Sequence, residues 1–278
     1  MNKKLIVIIL LFLPITTPAN IISNDDKNIT KPLKKTAENH VVSEIKKIFQ
    51  QQHIHGVLTI YDGKSINNYG NDTKRATIQY VPASTFKIVN ALIALKNQKV
   101  TVKEIFKWDG QPRYLSSWNK DMNLQEAMKL SAVPIYQEIA RRTGLAIMKK
   151  ELYRLHYGNS KIGNDVTKFW LDGPLKISPA EQAQFIYKLA TKHLPIDKTI
   201  QNEVAAMLLI KQTANIKIYA KSGLANINGE RIGWYVGWVE NANGKIKTFA
   251  LNIAISDDKT MSKRESLTLQ CLAKLKII

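Results

Sequence analysis

Residues 81–95 read Val81-Pro82-Ala83-Ser84-Thr85-Phe86-Lys87-Ile88-Val89-Asn90-Ala91-Leu92-Ile93-Ala94-Leu95. Pro82 disfavours the helical region for Val81, so Val81-Pro82-Ala83 is expected to be extended. From Ser84 to Asn97 the apolar residues are too dense for a surface helix, and up to Leu95 the only charge among them is Lys87. Residues three apart share a helix face, which brings the Lys87 amine within reach of the Ser84 hydroxyl. The start of the helix adds backbone N–H groups and a positive dipole end, suited to an oxyanion forming beside Ser84. Ser-x-x-Lys alone decides nothing, because Ser43/Lys46, Ser117/Lys120 and Ser256/Lys259 repeat it. Only Ser84 opens a buried helix; the plain alternative is an N-cap serine with a surface lysine.

Working outward, this helix is where strand-like sequence gives way to helix-like sequence. Upstream, Val41, Ile45, Ile48 and Phe49 recur at helical spacing. Gly56–Tyr61 and Ser65–Tyr69 then read as strands joined at Asp62-Gly63. Downstream, helices are expected over Leu124–Leu130, Ile135–Thr143, Leu145–Leu155, Pro179–Thr191 and Lys198–Lys211. Strands resume at Lys217–Lys221, Arg231–Glu240 and Lys245–Ser256, and a last helix runs from about Thr260 to Lys276. The fold class is α/β of the α+β type: an antiparallel sheet built from both chain ends and flanked by helices, with an inserted all-helical region at about 84–211.

The start of the chain has the three zones of a secretory leader: the basic Met1-Asn2-Lys3-Lys4, the apolar Leu5–Leu13, and Thr17-Pro18-Ala19 as a cleavage site. Residues 1–19 are therefore read as a signal peptide, with a periplasmic destination in a two-membrane bacterium and no membrane association after removal. Nine apolar residues ended by Pro14 fall short of the ~20 that span a bilayer. Residues 20–40 are polar and read as a loosely held lead-in, with order beginning near Val41. Residues 20–278 suit one catalytic-sized domain. Cys271 is the only cysteine, which excludes an internal disulfide. The net charge of +19 invites a nucleic-acid reading, but the lysines are scattered and no nucleic-acid-binding signature is present. The charge is read instead as a solvated surface that favours anionic small molecules.

Lys87 can act as a base only when uncharged. At a reference pKa of about 10.4, roughly four amines in ten thousand are neutral at pH 7. Burial can lower that value by up to ~3–5 units. A neutral buried amine can also take up carbon dioxide as a carbamate, a better acceptor of protons from water.

On these residues the chain resembles the class D serine β-lactamases, the oxacillinase family, from about Phe49 onward. The likeness rests on Ser84-Thr85-Phe86-Lys87, Ser131-Ala132-Val133, Tyr157-Gly158-Asn159 and Lys221-Ser222-Gly223, in order. Phe169-Trp170-Leu171-Asp172-Gly173-Pro174-Leu175 and Gly233-Trp234-Tyr235-Val236-Gly237-Trp238 are equally family-like. The resemblance implies the penicillin-recognising fold and hydrolysis of the β-lactam amide through a Ser84 acyl-enzyme. It implies N-carboxylated Lys87 as general base, with carbon dioxide or bicarbonate as the only cofactor. Trp170 is then the indole donor to the carbamate, while Val133 and Leu171 limit water. Ser131, helped by the charge of Lys221, relays a proton to the leaving nitrogen. The N–H of Leu224 joins that of Ser84 as oxyanion donor, and Ser222 with Arg264 holds the substrate carboxylate. Taken without the family, Trp170 and Val133 are ordinary core residues, Ser131 is a helix cap, Arg264 is a surface arginine and Tyr157-Gly158-Asn159 is turn chemistry.

The implied partner is a small β-lactam: penicillins and oxacillin-type compounds first, with carbapenems a further class. Relatives active on carbapenems often place aromatic or Met side chains over the cleft, where Leu115 and Leu224-Ala225-Asn226 stand here. A homodimer is compatible with the sequence. A penicillin-binding transpeptidase shares the acylation chemistry, but Val133 replaces the Asn of its Ser-x-Asn motif. A β-lactam sensor is normally tethered to a membrane signalling region. His53-x-His55 lacks the Asp of a zinc-hydrolase pattern.

Overall fold

The computed structural model describes residues 24–278, with side chains from residue 38 on; the leader read at 1–19 lies outside the described residues. The chain divides into residues 1–40 and a compact body, residues 41–278. Helix α1 runs Asn24–Gln51, so residues 24–40 are helical where a loose lead-in was expected. That segment has no apolar periodicity to announce a helix, but its Lys, Glu and Ala residues have good helical propensity.

The body is built on one antiparallel sheet in the order β2-β1-β8-β7-β6-β5. Its strands are β1 Gly56–Tyr61, β2 Ile66–Gly70, β5 Leu209–Gln212, β6 Ile216–Ile227, β7 Glu230–Asn241 and β8 Ile246–Ala254. Among the described residues β1 and β8, the first and last strands in sequence, pair inside the sheet, with Gly56 opposite Ile253 and Tyr61 opposite Thr248. A two-stranded ribbon, β3 Ile105–Phe106 with β4 Met122–Asn123, was not legible from the sequence because each strand is two residues long.

Side chains alternate across a strand, and β7 uses both faces. Trp234, Val236 and Trp238 enter a core shared with the helical region. Tyr235 and Val239 enter a second core with Ile45, Phe49, Leu267 and Cys271. The helical region holds α2 Lys87–Lys96, α3 Leu124–Lys129, α4 Val133–Thr143, α5 Leu145–Leu155, α6 Pro179–Ala190 and α7 Lys198–Ala206. Two short helices close the chain, α8 Asp258–Ser262 and α9 Arg264–Lys274.

Three boundaries differ from the sequence reading. The helix expected to reach Lys211 stops at Ala206, and Leu209–Gln212 is the edge strand, exposed throughout. The strand expected at Lys217–Lys221 continues to Ile227, since Ser222, Gly223 and Asn226 break the apolar alternation but not the ladder. The last helix is interrupted at Lys263.

Candidate active site

The turn that carries Ser84 is tighter than an extended lead into a helix. Tyr80 pairs with Ile177 through two backbone bonds of 2.9 Å. Pro82 is already in the right-handed helical region, and Ala83 takes φ +51°. Ala83–Phe86 forms a 3-10 turn, and the α-helix begins only at Lys87. A positive φ at a residue with a Cβ is disfavoured, by ~1–3 kcal/mol, and persists where the surroundings impose it. Here they do. Trp234 Nε1 donates to the Val81 carbonyl at 2.9 Å, and the Pro82 carbonyl accepts from Thr85 N at 3.2 Å and Thr85 Oγ1 at 2.7 Å. Gly223 of β6 lies so close that a Cβ there would be 3.1 Å from both Pro82 O and Thr85 Cγ2, which explains the glycine after Lys221-Ser222.

Ser84 is half-buried and accepts a hydrogen bond from Lys87 Nζ at 2.8 Å. No side-chain cap bond occurs on either the 3-10 turn or α2, so the N-cap reading of Ser84 does not hold. Lys87 is 0% exposed, its amine 5.5 Å from the centre of the buried Tyr136 ring. Burial, reinforced by the positive charge of Lys221, holds the Lys87 amine well below the usual lysine range. The pair is therefore a hydroxyl beside an amine that can take its proton.

Trp170 is 0% exposed, stacked on Phe86 with ring centres 5.4 Å apart. Its Nε1–H is buried without a hydrogen-bond partner. An unmet buried donor costs ~1–3 kcal/mol and calls for an explanation. Asn159 secures the segment after Trp170: its side chain donates to Pro174 O at 2.9 Å and accepts from Lys176 N at 3.0 Å.

Ser131 lies between α3 and α4 with φ +55°. Lys221 Nζ donates to Ser131 Oγ at 3.0 Å and to Ser222 O at 2.9 Å. Burial first, and the Arg264 charge second, bring the Lys221 amine down to about 7. Val133 opens α4, half-buried, one turn before Tyr136. Arg264 is no surface arginine: it is half-buried at the start of α9, where Nε donates to Met261 O at 2.7 Å and Nη1 to Gly223 O. A Cβ on Gly233 would be 3.0 Å from Arg264 Cδ, so the glycine opposite Leu224 makes room for that side chain. Ser222 is half-buried on β6, and Leu224 and Leu115 are exposed.

Ser84, Lys87, Ser131, Ser222, Lys221 and Arg264 thus form one cluster linked by hydrogen bonds and charge. Sequence reasoning missed three residues that contact the cluster: Tyr136 beside the Lys87 amine, Gln182, whose Nε2 donates to Thr85 Oγ1 at 2.8 Å, and Trp118, whose indole N–H donates to Leu130 O at 3.0 Å beside Ser131. Tyr136 could have been found, three residues after Val133 on one helix face; Gln182 carries no such signal. His55 Nδ1 is 3.5 Å from Asp72 Oδ2, and no group of three metal-ligating side chains occurs among the described residues.

A family model described as the penicillin binding protein transpeptidase domain matches residues 38–272. Beta-lactamase OXA-48 of Klebsiella pneumoniae is 39% identical over 83% of this chain and 87% of its own length. Beta-lactamase OXA-5 of Pseudomonas aeruginosa is 36% identical over 84% and 88%, respectively. The crystal structure of FUS-1 (OXA-85), a class D beta-lactamase from Fusobacterium nucleatum subsp. polymorphum, superposes with TM-score 0.80 at 38% identity, over 85% of this chain and 98% of that one.

Proposed function

The chain belongs to the class D β-lactamases, enzymes that hydrolyse β-lactams, and on that premise we propose that its own reaction runs through a Ser84 acyl-enzyme with Lys87 as base. The observation that carries this is the 2.8 Å contact between the Ser84 hydroxyl and a fully buried amine.

In acylation Ser84 Oγ attacks the lactam carbonyl carbon and its proton passes to the Lys87 side. The N–H groups of Ser84 and Leu224 would stabilise the oxyanion. As the C–N bond breaks, the nitrogen takes a proton through Ser131, whose Oγ is 3.0 Å from Lys221 Nζ. Ser222 and Arg264 would hold the substrate carboxylate, a task suited to a fork-shaped cation.

Deacylation needs a base for water. Carbon dioxide bound to Lys87 as a carbamate would supply two negatively charged oxygens that stay unprotonated at neutral pH and could accept a proton from water. The residues fit such a group: an amine that burial holds well below the ordinary lysine range, the buried Tyr136 ring beside it, and the Trp170 N–H with no other acceptor. Val133 and Leu171 would limit water there.

Steady-state turnover of a chromogenic cephalosporin, with and without bicarbonate, tests the reading. Catalytic turnover that bicarbonate stimulates and Ser84→Ala abolishes is expected; stoichiometric acylation without turnover would favour the transpeptidase reading instead. Penicillins and oxacillin-type compounds are the proposed substrates, and expression should raise bacterial resistance to them. Carbapenems remain a further class to assay, with Leu224 exposed on β6 two residues beyond Ser222. Export through the 1–19 leader to the periplasm belongs to the same proposal, and N-terminal sequencing of the mature protein checks it; sedimentation equilibrium checks the homodimer. Among the described residues no helix is long and apolar enough to cross a membrane.

A further inference from the structure

We infer that Gln182 is a positioning residue for the nucleophile turn, linking the Tyr157-Gly158-Asn159 segment to Ser84. Gln182 lies in the first turn of α6, and that turn is fixed independently. Ser178 and Glu181 form a reciprocal capping box: Glu181 N donates to Ser178 Oγ at 3.2 Å and Ser178 N to Glu181 Oε2 at 2.7 Å. From this anchor the Gln182 amide reaches the turn. Nε2 donates to Thr85 Oγ1 at 2.8 Å, and Thr85 Oγ1 donates to Pro82 O at 2.7 Å. On the other side, Tyr157 OH donates to Gln182 Oε1 at 3.4 Å. Because Thr85 Oγ1 gives its single proton to Pro82 O, it can only accept from Gln182, which leaves the amide a single orientation, Nε2 toward Thr85 and Oε1 toward Tyr157.

All three side chains are buried: Tyr157 and Thr85 at 1% exposed, Gln182 at 1%. With water excluded, these bonds have no substitute. Their target is the strained part of the site, since Pro82 and Thr85 flank Ala83 with its φ of +51°. Trp234 holds the turn from the sheet side through Val81 O. Gln182 holds it from the helix side. Neither touches a reacting atom, and Lys87 and Trp170 are not in the relay, so Gln182 should govern where Ser84 Oγ points rather than whether Lys87 is competent.

The inference rests on the acylation reading above and is tested in the same assay, by single-turnover acylation with a chromogenic cephalosporin. Gln182→Leu is expected to acylate about tenfold more slowly, a change of ~1.4 kcal/mol, while the bicarbonate concentration for half-maximal turnover stays at the wild-type value. Thr85→Val, which removes the hydroxyl, should lose at least as much; Thr85→Ser, which keeps it, should recover the wild-type rate. The double variant Gln182→Leu/Thr85→Val should be no slower than Thr85→Val alone. A wild-type rate in Gln182→Leu, multiplying losses in the double variant, or a Thr85→Ser rate as slow as that of Thr85→Val would overturn the inference. If Gln182→Leu does not fold, Gln182→Met, which also lacks both amide groups, takes its place with the same expected and refuting rates. Failure of the wild-type protein to acylate would reject the acylation reading, a separable result.

Discussion

Trp170 has an indole N–H with no acceptor in a fully buried wall, and replacing it by phenylalanine should leave stability nearly unchanged while weakening activity. Without carbon dioxide, Trp170→Phe removes an unmet donor that costs ~1–3 kcal/mol. The smaller ring gives up ~1–2 kcal/mol of packing, and the Phe86 face on which Trp170 stacks is retained. The two nearly cancel, so the melting temperature in degassed buffer should barely move. On the proposed carbamate reading, with bicarbonate present the variant would lack a hydrogen bond to a charged acceptor, worth about 1.5–3 kcal/mol. At about 1.4 kcal/mol per factor of ten, the bicarbonate concentration for half-maximal cephalosporin turnover should rise roughly 10- to 150-fold. Melting in degassed buffer and a bicarbonate titration of turnover read the two effects separately. An unchanged bicarbonate requirement would refute the role given to this N–H, as would a collapse in stability that carbon dioxide does not influence.

Gly233→Ala brings a Cβ to 3.0 Å from Arg264 Cδ and 2.6 Å from Ile255 Cδ1; displacing the arginine should raise KM for penicillins several-fold and leave kcat within about twofold, measured by initial rates. Gly237→Ala meets the backbone oxygen of Tyr219 at 1.9 Å, an obstacle that cannot swing aside, so a loss of ~3 kcal/mol or more is expected in urea unfolding. Lys221→Met should flatten the dependence of stability on pH. The Lys221 amine is brought down to about 7 in the folded protein, from an ordinary value near 10.5. Between those values the unfolded chain holds a proton that the folded one has shed, so stability rises with pH in the wild type. The slope from about pH 7 to 10.5 should be shallower in the variant; an equal slope would show that Lys221 keeps its proton when folded.

The helical region was legible where apolar spacing and punctuation agreed: α5 begins after Gly144 and ends at Leu155, as the spacing predicted. It misled where polar residues continue an element, as in the second half of β6, or where a short apolar run is a strand rather than the end of a helix, as at Leu209–Gln212. Ser84, Lys87, Ser131 and Lys221 stood out because chemistry restricts their residue types. The fold brings them together in two hydrogen-bonded pairs. The shape of the turn was not legible: Pro82 constrains Val81, but nothing local announces a positive φ at Ala83. That conformation is imposed by Trp234, Gln182 and Gly223, which come from three distant elements.

The seam between β1 and β8 also bears on how the protein is made. Tyr61 O accepts a hydrogen bond from Thr248, 187 residues further along the chain, so the sheet cannot close before the ribosome has made β8. Loops that long close late and slowly, and until they do the apolar faces of β1 and β2 have no partner. A polypeptide of this topology should stay without its closed sheet throughout synthesis and gain protease resistance all at once, after the C-terminal strands emerge.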